Sequence, residues 1–469
     1  MESVISSSMN FNTNDTIVAP ATTYGKSSLN IIRLSGQDSL KIASKLAKID
    51  LKNPKVRHAK LTKIYFENGE LLDECIIIYF KSPHSYTTED VIEFQCHGGT
   101  FIAQNILEEC LKYGARLANP GEFTKRAFLG GRIDLSQAQA VAKLIESSNA
   151  NAHKMLMRHL NGEMQEFCEN LRTDLITLLA HSEVFIDYAD EELPQDLLKN
   201  LQNKLTSILK TLQSLLEQSI QKKSLFEGYK LCIIGKPNVG KSSFLNALLH
   251  NERAIVSDIA GTTRDSIEEN FVLEGHLLRL IDTAGIRKSQ DIIENKGIER
   301  SLQKAKESDI LIALFDSSRP LDHEDLEIIE LLKNYQDSKK IIVLLNKTDL
   351  QNHFDSEVLK PFLPLNLCLK NTNLNSQESL LSNFKNHLIS LLNSQESTQS
   401  LLLISQYQFQ AVKNCIQALY DSKIPLENGE LELFSFHINE ALRAIASITK
   451  PYEYSQMLDV MFGEFCLGK

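Results

Sequence analysis

The chain has 469 residues, 42% of them hydrophobic and 23% charged, and a formal net charge of −10. That length accommodates two or three domains with cores of their own. The acidic balance excludes a generally basic nucleic-acid wrapper and leaves any nucleic-acid contact to local sites. Eight scattered cysteines (Cys75, Cys96, Cys110, Cys168, Cys232, Cys368, Cys415, Cys466) form no CxxC pair, so neither a zinc site nor a disulfide framework is expected. Residues 1–15 lack a signal-peptide layout, and no run reaches the roughly 18 apolar residues of a spanning helix. The expected location is cytoplasmic, with no membrane span.

From Asp15 to about Ala115 short β-like runs alternate with turns: Asn30–Leu34, Cys75–Phe80 and Val91–Gln95, with a helix over Thr100–Leu111. This is an α+β pattern. Arg33 and Glu93 are charges set inside apolar strands, which places them either on an exposed face or together in a polar pocket. His97, before Gly98-Gly99, reads as a hydrogen-bonded turn histidine more readily than as a base. Helical periodicity then runs over Ala140–Asp187 and Leu197–Phe226, ceases at Gly228 and returns near Ser379. A helical bundle interrupted by an inserted domain accounts for this order.

The insert opens with the apolar run Leu231–Ile234 and then Gly235-Lys236-Pro237-Asn238-Val239-Gly240-Lys241-Ser242-Ser243, followed by a helical segment. Strand, glycine loop, Lys-Ser and helix is the setting of a phosphate-binding P-loop, in which main-chain N–H groups and a helix N-terminus surround a phosphate chain. Lys241 is expected on the β- and γ-phosphates and Ser242 on Mg²⁺. Downstream, Gly261-Thr262-Thr263-Arg264-Asp265 fits switch I, with Thr263 completing the Mg²⁺ shell, and the polar stretch Ser257-Asp258-Ile259-Ala260 before it joins the expected nucleotide-binding set. A hairpin over Ile267–Leu273 and Leu277–Ile281 delivers Asp282-Thr283-Ala284-Gly285, where Asp282 holds Mg²⁺ through water and the Gly285 N–H senses the γ-phosphate. Strands over Ile310–Phe315 and Ile341–Leu345 lead to Asn346-Lys347-Thr348-Asp349. Asp349 accepts from guanine N1–H and the exocyclic amine, a pair of donors that adenine lacks. The expected fold of the insert is a doubly wound, mainly parallel sheet with one antiparallel hairpin.

Three positions bear on chemistry. Ile286 follows Gly285 where Ras-like GTPases carry the water-positioning glutamine, so another residue must orient water. Asn238 either makes a simple loop hydrogen bond or helps to hold a monovalent cation beside the phosphates. Cys466, near Lys469, is either a thiolate nucleophile or a packed small hydrophobe.

These motifs, with Asp15–Ala19, Arg33–Gly36, Tyr86–Glu93, Cys96–Gly99, Pro120–Ala138 and the closing Cys466-Leu467-Gly468-Lys469, resemble the MnmE (TrmE) family of tRNA-modification GTPases over nearly the whole chain. The resemblance implies a multidomain α/β and α protein. An N-terminal α+β tetrahydrofolate-binding and dimerising domain would span 1–125, a helical domain 126–225 and 385–469, and an inserted Ras-like G domain 226–384. It implies a homodimer that forms a heterotetramer with the FAD protein MnmG. Together they would add an aminomethyl or carboxymethylaminomethyl-type group to C5 of wobble uridine 34 in certain tRNAs, with 5-formyl- or 5,10-methylene-tetrahydrofolate as cofactor. By position, Arg33, Glu93, Arg132 and Lys469 match the folate contacts, which moves Arg33 and Glu93 to the pocket reading. Asn238, Ser257, Ile259 and Thr262 match potassium ligands, Glu294 the residue that orients water, and Cys466 the tail cysteine.

Two stretches depart from the family. Thr22-Thr23-Tyr24-Gly25-Lys26-Ser27-Ser28-Leu29 stands where a glycine-rich loop is usual, and Cys368-Leu369-Lys370 replaces the guanine-contacting Ser-Ala-Lys motif. A competing reading is a regulatory RNA- or ribosome-binding switch like the Era or EngA GTPases. The folate-side residues and the Cys466 tail, which a pure switch does not need, separate the two.

Overall fold

The computed structural model describes residues 15–23, 25–51, 53–147, 150–187, 195–251, 269–274, 276–281, 305–368, 374–393, 401–450, 456–463, 465 and 468. The chain divides into two compact units, one from Met1–Ala142, His159–Ile208 and Gln410–Lys469, the other from Lys143–Arg158 and Leu209–Phe409.

The first unit begins with six strands: β1 (Ile17–Pro20), β2 (Leu29–Ser35), β3 (Lys60–Tyr65), β4 (Leu71–Phe80), β5 (Val91–His97) and β6 (Arg116–Leu117). They form one sheet in the order β3-β4-β5-β2-β1-β6, antiparallel except for the parallel β1–β6 pair. Alternation along β2 and β5 sends Ile32, Leu34, Ile92 and Phe94 into a core closed by α1 (Ser39–Ala47) and α2 (Thr100–Lys112). The intervening residues face the other way, and the β2–β5 register sets Arg33 directly opposite Glu93. The expected strands and the Thr100 helix are thus present, with β4 starting four residues before the expected Cys75 and the other ends within two residues.

Helix α3 (Glu122–Leu129) follows, then α4 (Leu135–Glu146), α5 (Ala150–Leu160), α6 (Glu163–Asp187) and α7 (Gln195–Gln221). The long periodic stretch is broken between α5 and α6, where Gly162 adopts φ +88. After the second unit come α8 (Gln406–Asp421), α9 (Lys423–Asn428), α10 (Leu431–Ser447) and α11 (Gln456–Gly463). Ser182 on α6 and Ser435 on α10 share a buried hydrogen bond at 2.8 Å. Helices from both sides of the interruption therefore pack together, as an inserted domain requires.

In the second unit, β7 (Tyr229–Ile234), β8 (Glu269–Leu273), β9 (His276–Leu280), β10 (Ile310–Asp316), β11 (Lys340–Asn346) and β12 (Leu365–Asn366) form a sheet in the order β12-β11-β10-β7-β9-β8. Every pair is parallel except the β8–β9 hairpin. β10 is buried along its whole length, as expected for a strand covered on both faces. Helix α12 (Lys241–Asn251) leaves β7, α13 (His323–Tyr335) joins β10 to β11, and α14 (Leu374–Asn393) follows β12. The doubly wound fold with one hairpin matches the sequence expectation. Among the described residues no helix is long and apolar enough to cross a membrane.

Candidate functional sites

β7 ends where its backbone must turn hard against β10. Gly235 has φ +152, and a Cβ there would lie 2.6 Å from the Leu314 carbonyl oxygen. Asn238 (φ +62) and Gly240 (φ +102) complete a loop of left-handed conformations that α12 then closes, with the Phe244 N–H on the Gly240 oxygen at 2.9 Å. The Lys241 ammonium folds back onto the carbonyls of Gly235 (2.6 Å) and Lys236 (2.8 Å), and burial lowers its pKa. Among the described residues its partners are carbonyls and no carboxylate, which leaves its charge for an incoming phosphate. The loop fits a phosphate chain, with Lys241 supplying charge and Ser242 at the head of α12 supplying the hydroxyl for a metal.

The loop is braced from two sides that the motif alone does not reveal. Lys236, 6% exposed, is ion-paired with Asp325 at 2.9 Å and with Asp322. Although burial opposes its charge, these carboxylates raise its pKa. They belong to a capping box at the start of α13, a pattern readable as Asp322-x-x-Asp325. From β11, the Asn346 side-chain amide donates to the Val239 carbonyl at 2.8 Å, while Lys347 (φ +62) reaches Asp316 at 2.6 Å. Burial works against the Asp316 charge, but Lys347 and Ser318 hold its carboxyl below the ordinary value. Asp349 is exposed, and Thr348 Oγ1 donates to the Leu367 carbonyl at 3.2 Å, which sets the chain before Cys368 beside the Asn346–Asp349 segment.

Thus Asn238, Val239, Gly240, Lys241, Ser242, Ser243 and Asn346, Lys347, Asp349 lie at one end of the sheet. Ser257 to Thr263, Asp282 to Gly285, Glu294, Cys466 and Lys469 lie outside the described residues.

The second site is in the N-terminal sheet. Arg33 meets Glu93 through Nε (2.9 Å) and Nη2 (2.8 Å), and its guanidinium lies 5.7 Å from the Tyr86 ring centroid and 5.8 Å from that of Phe123. Arg132 donates to the Ser85 carbonyl at 2.8 Å, and its guanidinium also lies over the Tyr86 ring, 5.1 Å from the centroid. Arg33, Glu93 and Arg132 line one cavity of about 460 Å³, so the pocket reading of these strand charges stands over the surface one. The loop carrying Tyr86 is pinned to α3: Tyr86 OH and Thr124 Oγ1 are 2.9 Å apart, and Glu89 takes Arg126 at 3.0 Å. Behind it, Asp15 and Glu122 bind Arg116 and Arg126. Burial opposes charge on both carboxyls, yet the guanidiniums keep them below their ordinary values.

At the tail, Gly468 has φ +93, and a Cβ there would come within 2.0 Å of the Pro20 oxygen. The tail glycine therefore lies against the end of β1. His97 is paired with Asp73 at 2.7 Å, as a hydrogen-bonded turn histidine would be. Sequence reasoning missed Arg57, which also lines the cavity, because it lies in an irregular exposed segment with no pattern to mark it.

Comparisons with known proteins give the chain's family. The family described as GTP-binding protein TrmE N-terminus matches residues 16–132, and the MnmE helical domain matches residues 135–466. The tRNA modification GTPase MnmE of Aliarcobacter butzleri is 50% identical, covering 97% of this chain and 99% of its own length. Those of Sulfurovum sp. and Sulfurimonas denitrificans are 48% and 50% identical, each covering 97% of this chain and 99% of its own. The chain belongs to the MnmE (TrmE) family.

Proposed function

We propose that this chain is a GTP-hydrolysing enzyme of tRNA modification whose turnover depends on potassium and whose N-terminal cavity takes a tetrahydrofolate. The observation that carries the reading is the coexistence of a braced phosphate loop with an arginine-lined cavity in a separate sheet. The loop accounts for GTP. The cavity has no place in a pure RNA- or ribosome-binding switch.

In this reading Lys241 and the loop N–H groups bind the β- and γ-phosphates, Ser242 and Thr263 hold Mg²⁺ with Asp282 acting through water, and Asp349 selects guanine. Asn238 with Ser257, Ile259 and Thr262 holds K⁺, and Glu294 orients the attacking water in place of a switch glutamine. Arg33, Glu93, Arg132 and Lys469 hold the folate, which supplies a one-carbon unit when bound. Cys466 acts in the modification itself. The protein works in the cytoplasm as a homodimer with a flavoprotein of the MnmG type, on wobble uridine of tRNA. The division at 1–125, 226–384 and the two flanking helical segments is part of the same proposal.

The deciding experiment is steady-state GTP hydrolysis in matched KCl and NaCl. Strong stimulation by K⁺ alone is expected, and Glu294→Ala should slow turnover with GTP affinity nearly unchanged. Equal rates in the two salts would overturn the cation assignment.

A further inference from the structure

The N-terminal cavity holds more positive charge than its paired residues account for. Among the described residues Glu93 is the single acidic side chain lining it, and Arg33 already engages that carboxylate. Arg57 and Arg132 also line the cavity, and among the described residues neither has a carboxylate partner. Among the described residues each donates one side-chain hydrogen bond, to a main-chain carbonyl: Arg57 Nη2 to His84 at 3.1 Å, Arg132 Nη1 to Ser85 at 2.8 Å. A guanidinium has five N–H donors, so most of this capacity is left for a ligand.

The two arginines differ in setting. Arg132 stacks on Tyr86, beside the aromatic slot that Tyr86 and Phe123 make around Arg33. Tyr86 itself lines the cavity, and an accessible aromatic ring suits a flat heterocycle. Arg57 stands at the open rim. Its backbone is fixed, with φ +54 and its N–H on the Tyr79 carbonyl at 2.8 Å, while its side chain is exposed. Lys55, His58 and Lys60 flank it in sequence and are also exposed, on a chain of net charge −10. An open cationic rim fits a flexible carboxylate chain of variable length, which a guanidinium engages in a two-pronged manner.

We propose that Arg57 is an anion-recognising residue at the cavity rim and binds the carboxylates of the folate's glutamate tail, so that the site prefers polyglutamylated over monoglutamylated tetrahydrofolate. The proposal rests on the folate reading given above and adds to it the determinant of tail length.

The test is calorimetric titration of the full-length, nucleotide-free protein with tetrahydrofolate carrying one or three glutamates. Wild type should bind the triglutamate about fivefold more tightly, since solvent-exposed ion pairs contribute modestly, and added salt should erode the difference. Arg57→Ala, with an unchanged thermal melt, should reduce the ratio to near one, and Arg57→Lys should restore part of it. Equal affinities for the two tails in wild type, or a preference that survives Arg57→Ala, would overturn the proposal. Binding of neither form would overturn the folate reading and the proposal with it. A loss of tRNA binding in Arg57→Ala with tail preference intact would make the rim an RNA contact instead.

Discussion

The glycine loop after β7 and the N-terminal cavity are built from different parts of the chain. Residues 235–243 are consecutive, and left-handed conformations at Gly235, Asn238 and Gly240 shape a loop of the kind that meets phosphate with main-chain N–H donors. The cavity is assembled from Arg33, Arg57, Glu93 and Arg132, which strand register and a pinned loop bring together from positions up to about 100 residues apart. A backbone site depends on a few special φ values and on whatever holds the loop in shape. A side-chain site depends on charge pairing, and it fails when one partner is left alone.

The largest effect expected from this difference is in the loop. Lys241→Ala removes the loop cation proposed to meet the phosphates, and GTP affinity should fall about 100-fold or more, the scale of losing charge-assisted hydrogen bonds. Folate affinity, measured on the same preparation, should stay within about twofold because no residue is shared between the sites. A matching loss of folate binding would break the comparison. In the cavity, Arg33→Ala strands Glu93, whose side chain is 14% exposed, and removes the cation from the aromatic slot. Folate affinity should fall roughly 10- to 100-fold. Adding Glu93→Ala should recover part of the loss, which isolates the stranded carboxylate as the cause.

A third variant asks how far a backbone site depends on side chains outside it. Lys236→Met leaves Asp325, 3% exposed, without its cation and frees the carbonyl segment on which Lys241 rests. GTP affinity should drop about tenfold with kcat little changed, and Lys236→Arg should recover it. A fall in kcat at constant affinity would place Lys236 in the hydrolytic step and remove it as a brace.

The same contrast explains how much was legible in the sequence. Contiguous motifs give a backbone site away: spacing marks the loop from Gly235 to Ser243 and the Asn346–Asp349 segment, and apolar runs around them place β7, β10 and β11. The cavity was legible only in part. Arg33 and Glu93 stand out as charges in apolar strands, yet their pairing depends on a β2–β5 register that a single sequence does not state. Arg57 and the Lys236 brace were not legible. The first has no periodic context, and the second needs α13 to be packed against the loop, a tertiary fact.

The smallest effect concerns the loop over Thr22–Leu29, where a glycine-rich segment is usual in the family. Here hydroxyl groups do the holding. Ser27 Oγ donates to the Leu29 carbonyl at 2.7 Å and to Asn30 Oδ1 at 3.1 Å, and Thr22 Oγ1 accepts from the Ile31 N–H at 3.2 Å. The glycine that closeness demands lies across the strand pair at Gly98, where a Cβ would come within 1.9 Å of the Ser27 oxygen. Ser27→Gly should therefore destabilise the protein by about 1 kcal/mol through the lost side-chain bonds and added chain freedom, read from a urea midpoint. Gly98→Ala should cost clearly more, because main chain must move to admit the methyl group. If Ser27→Gly proved the more damaging of the two, the loop would be held by its hydroxyls more than by its close approach to β5, and substitution there would perturb the sheet that carries Glu93.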